Sequence, residues 1–236
     1  MSTSEKLQTV AENQPKVYES GKKSEHDAFW DSFQDYGNRT AYDHAFRGPW
    51  DATTFKPKYD IKLVGAASSA FAGNGAGKGL VGDLQQMLDD CGVTLDTSEA
   101  TRLDSMFYNN TGTTRVGAID TTGATNIAYL FEWASSLKTI EKLILKSDGS
   151  QDMNIFNGTV ALENVTIEGV IGKNGLNMRH ATKLSRTSIA SVVNALSTTT
   201  SGLSITLSQT AVKAAYSDSD WTALANTRSN WTISLV

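Results

Sequence analysis

Residues 95–107, LDTSEATRLDSMF, and residues 119–131, IDTTGATNIAYLF, carry one pattern at a constant offset of 24. Each opens on an aliphatic residue and Asp-Thr, leaves two positions free, sets Ala-Thr, and closes on an aliphatic–Phe pair. Leu95 answers Ile119, Asp96 answers Asp120, Ala100 answers Ala124, Leu103 answers Ile127 and Phe107 answers Phe131. A looser third copy follows in LILKSDGSQDMNIF, where Phe156 stands 25 residues after Phe131. Nine residues beyond each Phe comes an aliphatic, Val116, Ile140 and Val165, and then a strand-like segment, GAID, KLIL and TIEGV.

A period near 24 with recurring aliphatics marks units that cannot bury their apolar side alone and must stack on one another. The expected class is α/β: a leucine-rich-repeat-like right-handed solenoid with a parallel sheet, an N-terminal helical segment and a C-terminal α/β cap. The boundaries fall at 1–36 for a helical attachment or oligomerisation segment, 37–60 for an aromatic connector, 61–184 for the solenoid and 185–236 for the cap. Within the cap, KLSRTSIASVVNALS predicts a helix started by Ser185 or Thr187, with Ile189, Val192, Val193 and Leu196 buried. LSITL and WTISLV predict strands, Ser208 caps a helix between them, and SDSDWTALAN continues or restarts it with Trp221 and Leu224 buried. Strand, helix and strand at this spacing predict parallel pairing that extends the repeat sheet and closes its end.

Upstream, Pro15 suits the first turn of a helix that runs to Tyr36. Phe29, Phe33 and Tyr36 share one face, with Trp30 beside them, while Leu7, Val10 and Val17 form a seam interrupted by Gln14, Gly21 and Ser24. Val10, Val17, Phe29, Trp30 and Phe33 are therefore the candidate attachment or oligomerisation residues. In the connector, Trp50, Phe55 and Tyr59 are expected to pack against the next domain.

The net charge of −4 and the lack of a basic block give no electrostatic footprint for nucleic acid. Cys91 is the only cysteine, which leaves neither an intrachain disulfide nor a thiolate metal cage. No run of about 18 apolar residues could cross a bilayer. The opening MSTSEKLQTVAENQPK lacks the apolar core of a secretory signal, so synthesis in a cytoplasm without a secretion label is expected.

The stretch FAGNGAGKGLVGDL, residues 71–84, looks like a phosphate loop but fails as one. Ala72 stands where the first turn glycine belongs, and Gly79 replaces the hydroxyl that should follow Lys78. Lys78 also breaks the dinucleotide pattern that Gly73 and Gly75 begin. A surface loop is expected here, leading into the helix DLQQMLDDCG that starts near Asp83 and stops at Gly92. Cys91 at the end of that helix would have its thiolate disfavoured. His26, His44 and His180 lie in separate regions, and Asp148, Asp152, Asp218 and Asp220 lack the Gly and Glu positions of a calcium loop. Asp96 and Asp120 would sit about 5 Å apart on neighbouring strands, yet an Asp after a strand also bonds turn amides. No catalytic residue, metal ligand or cofactor is assigned.

Surface recognition remains. Tyr108, Asn109 and Asn110 follow the first Phe, and Tyr129 and Trp133 flank the second. Tyr and Trp anchor binding patches; lateral packing between repeats is the alternative. LQTVAENQPKVYESGKKSEHDAFWDSFQDYGNRT, the Phe-centred repeats, LENVTIEGVIGKNGLNM, TKLSRTSIASVVNALSTTTSGLSITLS and NWTISL together resemble a family encoded by phages and prophages of gut Firmicutes. Its members carry a leucine-rich-repeat-like domain similar to those of BspA-type surface proteins. The resemblance implies a non-enzymatic virion protein of the tail fibre or tail tip that contacts the host surface, as a receptor-binding protein, or a neighbouring structural protein, and is made in the host cytoplasm. Its partners would be other virion proteins through the N-terminal segment and a host-surface glycan or protein through the solenoid, with no nucleic acid and no membrane insertion. Fibres are often homotrimers, and 7–30 is where such an interface would lie. The alternatives are a bacterial cell-surface adhesin and a purely structural decoration or fibre protein. The glycine loop at 73–79 and Lys146-Ser147-Asp148 depart from the family pattern and loosen the repeat count.

Overall fold

The repeated phenylalanines form a column of stacked rings. The computed structural model describes residues 44–73 and 79–236. Within them Phe46, Phe71, Phe107, Phe131 and Phe156 stack in order, with centroids 4.9, 5.4, 5.4 and 5.7 Å apart and planes within 17° of parallel. Each ring is at most 1% exposed. The backbone follows the rings: Phe46 N–H donates to Ala70 O, Phe71 to Met106 O, Phe107 to Leu130 O and Phe131 to Ile155 O, all at 2.8–3.0 Å. Each Phe-centred turn is thus one tier resting on the next. Phe46 and Phe71, expected in a connector and a loop, are tiers of the same column. Trp50 and Phe55 close its N-terminal end in edge-to-face contact 6.0 Å apart. Tyr59, expected to pack with them, is exposed instead.

Among the described residues the strands pair only in parallel. Strand β1 (Ile61–Lys62) pairs with β4 (Leu95–Asp96), and β2 (Gly65–Ala66) pairs with β5 (Ala100–Arg102). A four-stranded sheet has the order β3 (Gly82–Asp83), β6 (Thr113–Asp120), β7 (Thr139–Ile144), β8 (Asn164–Glu168). Its register sets Val116 beside Ile140 and Ile140 beside Val165. Near the C-terminus β9 (Asn177–Met178) lies beside β10 (Leu203–Leu207), which lies beside β11 (Trp231–Leu235).

These observations keep the α/β class and correct the rest of the expectation. The leucine-rich-repeat-like right-handed solenoid with a parallel sheet is replaced, among the described residues, by a mixed α/β arrangement of four separate short parallel sheets. Side-chain hydroxyls break the ladder. Between β4 and the end of β6, Thr97 Oγ1 accepts from Asp120 N–H and donates to Asp120 O, both at 2.8 Å. Beyond β8, helix α2 (Arg186–Ala195) stands where a further strand would pair. Its Ser188 and Ser191 hydroxyls accept from Val165 N–H at 2.9 Å and Ile167 N–H at 2.7 Å, which satisfies an otherwise open sheet edge. The C-terminal strands therefore do not extend the repeat sheet. The isolated bridge Ile171–Leu196 lies between the two sheets.

The helix signals act as read. In α1 (Leu84–Cys91) Asp83 accepts from Gln86 N–H at 2.9 Å, and Gly92 ends the helix at φ 67°. Ser185 caps α2, Ser208 caps α3 (Gln209–Ala215) and Ser217 restarts the chain as α4 (Asp218–Asn226). Trp221 and Leu224, expected to be buried, are half-buried, and α4 buries no residue. The 1–36 helix, with Val10, Val17, Phe29, Trp30 and Phe33, lies outside the described residues, as do 37–43 and the loop tip 74–78.

Removing a ring from mid-column should be severe. Phe131→Ala is expected to lose about 3–5 kcal/mol, and Phe131→Leu less, read from the midpoint of chemical denaturation.

Candidate functional site

The turns that aim each Phe inward bend the chain through left-handed backbone. Two residues before the ring stand His44, Ser69, Ser105 and Tyr129, with φ of 59, 57, 57 and 61°. Two residues after it, Asn109, Trp133 and Gly158 have φ of 52, 60 and 79°. Glycine and asparagine enter this region readily, whereas a bulky side chain there is an outlier that costs roughly 1–3 kcal/mol. Tyr129 and Trp133 are the bulky exceptions, and both occur in one tier.

Neither is buried. Tyr129 is 43% exposed and Trp133 is 50% exposed, with Tyr108 of the preceding tier at 38%. One side of the indole rests on Gly158: a Cβ there would lie 2.7 Å from the Trp133 ring. Asn109 N–H donates to Glu132 O at 2.8 Å, and Trp133 N–H donates to Asn157 O at 2.9 Å. These bonds place Tyr108, Glu132 and Asn157 in one row across three tiers, with Asn109, Trp133 and Gly158 in the adjoining row. Asn157 Nδ2 donates to Glu132 Oε1 at 2.9 Å, a polar pair beside the indole.

The four residues expected at a recognition surface, Tyr108, Asn109, Tyr129 and Trp133, lie on the consecutive tiers of Phe107 and Phe131. Asn110 is not among them. It is fully buried, donating to Phe71 O at 2.8 Å and accepting from Thr113 N–H at 3.2 Å. Glu132, Asn157 and Gly158 were missed, although they occupy the repeat positions of Tyr108 and Asn109.

The other chemistry is structural. Asp96 Oδ1 accepts from both the N–H and the hydroxyl of Ser98, and Asp120 Oδ1 does the same with Thr122. The Ser98 bonds hold the Asp96 carboxyl below its ordinary range, against partial burial and with help from Lys62. A general acid needs the opposite shift. Asp148 and Asp152 likewise accept from the N–H of Ser150 and Asn154. Burial pushes the Cys91 thiol up, opposed by Lys56. Among the described residues, no group of three or more His, Cys, Asp and Glu side chains could hold a metal ion. Nor is any described helix long and apolar enough to cross a membrane. A crevice of about 440 Å³ opens between residues 147–148, 169–170 and 194–200 and Arg228. Its guanidinium donates to the carbonyls of Asn194, Leu196 and Thr227, so its wall braces the junction of α2 with the C-terminal sheet.

Fold and face together define an α/β protein that displays Tyr and Trp from strained turns. No protein-family model matches the chain, and no curated protein or solved structure matches it.

Two outcomes follow from this geometry. Trp133→Gly and Trp133→Ala remove the same ring, but only alanine keeps the left-handed strain. The glycine variant should be more stable by about 1–2 kcal/mol in thermal or chemical unfolding. The lowered Asp96 carboxyl stabilises the fold above its unfolded pKa, and that stability is lost as pH falls through the folded value. Asp96→Asn should therefore flatten the acid limb of the stability–pH curve below the ordinary carboxylate range.

Proposed function

We propose that this protein is a non-enzymatic component of a phage particle, a receptor-binding protein of the tail fibre or tail tip. The observation that carries this reading is the pair Tyr129 and Trp133, half-exposed at both ends of one rigid turn on left-handed backbone. Backbone strain concentrates at functional sites, and Tyr and Trp give large contact area for little conformational entropy. The resemblance of the chain to phage and prophage proteins supplies the setting. Asp96 and Asp120, each bonded within its own turn, support a role in recognition over one in catalysis. In this reading the N-terminal segment joins other virion proteins and the aromatic face meets a glycan or protein of the host surface.

The test is binding of the labelled full-length chain to a panel of intact Gram-positive gut bacteria. Wild type should bind selected strains, and the Tyr129→Gly/Trp133→Gly double variant should bind none. Equal binding by both proteins, or no binding to any strain, would replace adhesion with a structural role inside the particle.

A further inference from the structure

We propose that the face formed by Tyr108, Asn109, Tyr129, Glu132, Trp133 and Asn157 is a carbohydrate site for uncharged pyranose units of a polysaccharide. The inference rests on the reading of this face as a recognition surface and names its ligand. The indole is held as a slab: Gly158 supports one side, and the residue remains half exposed on the other. A pyranose ring presents a flat patch of C–H groups that stacks on such a slab, and its rim of hydroxyls needs donors and acceptors close by. Glu132 and Asn157 supply both, being joined through Oε1 and one Nδ2 hydrogen at 2.9 Å. That pairing fixes their orientation and leaves the second carboxylate oxygen and the second amide hydrogen for the ligand. Among the described residues no side-chain hydrogen bond engages Tyr108 Oη, the Asn109 amide, Tyr129 Oη or Trp133 Nε1, so four more polar groups on these tiers are open to a ligand.

The other occupants fit less well. A stable protein interface covers about 800 Å² per partner around a contiguous apolar centre. Here the aromatics are interleaved with Asn109, Glu132 and Asn157, and no ring contact among the described residues joins Tyr108, Tyr129 and Trp133. An anionic polymer would meet the Glu132 carboxylate with no Lys or Arg anywhere in residues 105–110, 129–134 or 154–160. A neutral sugar satisfies the ring, the amides and the single carboxylate together.

The experiment is affinity electrophoresis of the full-length chain through gels containing neutral polysaccharides (glucan, galactan, mannan) or anionic teichoic acid. At least one neutral polymer should retard the wild type. Trp133→Gly, with thermal stability retained as the fold check, should weaken that retardation by roughly tenfold or more. Trp133→Phe should keep part of it. Gly158→Ala, whose Cβ would lie 2.7 Å from the ring, should displace the indole and weaken binding although it lies behind the face. Retardation unchanged in Trp133→Gly, or seen only with teichoic acid or with no polymer, overturns the carbohydrate site. Strain-selective cell binding that persists after that result leaves the adhesion reading standing with a protein receptor. Polysaccharide retardation without cell binding keeps the sugar site and removes the adhesion reading.

Discussion

Face-to-face contact between successive phenylalanines is the constraint from which the rest of the structure follows. Offset stacking of aromatic rings adds to the large apolar area each one buries. Rings 4.9–5.7 Å apart fix the rise from one tier to the next. Parallel strands prefer a similar separation, about 4.8 Å, so one spacing serves both the core and the hydrogen-bonded edge. Aiming each ring inward requires tight turns on either side of it. Those turns pass through left-handed backbone two residues before four of the five rings and two residues after three of them. The residues that make the core are thereby coupled to the turn residues on either side of them, and the exposure of Tyr129 and Trp133 is tied to the column.

The same spacing is bridged by side chains where backbone pairing stops. Thr97 and Ser188 with Ser191 do this at sheet breaks, and Gln151 does it inside the chain. Gln151 Nε2 donates to Thr121 O at 2.8 Å, and its Oε1 accepts from Lys146 N–H at 2.9 Å. This buried amide absorbs the extra residue of the loosest repeat, where Lys146-Ser147-Asp148-Gly149 bulges outward. Gly149, at φ 65°, meets Gly172 so closely that a Cβ would lie 2.9 Å from its Cα. A buried polar group with every partner satisfied fixes one register of tiers over its neighbours.

The repeat was legible because Phe107, Phe131 and their aliphatic partners recur at one offset. Phe46 and Phe71 were not, since the spacing from Phe71 to Phe107 is 36 and hides the period. Helix α1 (Leu84–Cys91) falls within that longer spacing. The interruption of the sheet was also invisible: Thr97, Ser188 and Ser191 look like ordinary polar residues until a strand edge lies against them. At the face, Tyr108, Tyr129 and Trp133 stood out as aromatics beyond the core pattern. Gly158 did not, because a glycine gains its meaning from the ring that lies on it. Asn110 was misread for a related reason, since adjacency to Asn109 says nothing about which side of a turn a residue takes.

The distribution of side chains over the left-handed positions separates display from packing. Had the strain at Tyr129 and Trp133 been offset by core contacts, both residues would be buried like Phe131 between them, and neither is. His44, Ser69, Ser105, Asn109 and Gly158 show that small or polar residues satisfy the same turn elsewhere in the column. Trp133 recovers part of its cost through Gly158. The strain of bulky side chains sits in one tier, the tier of Phe131, which also carries Glu132. A cost confined in this way is a feature of one tier and not a property of the repeat, which would have spread it over every tier.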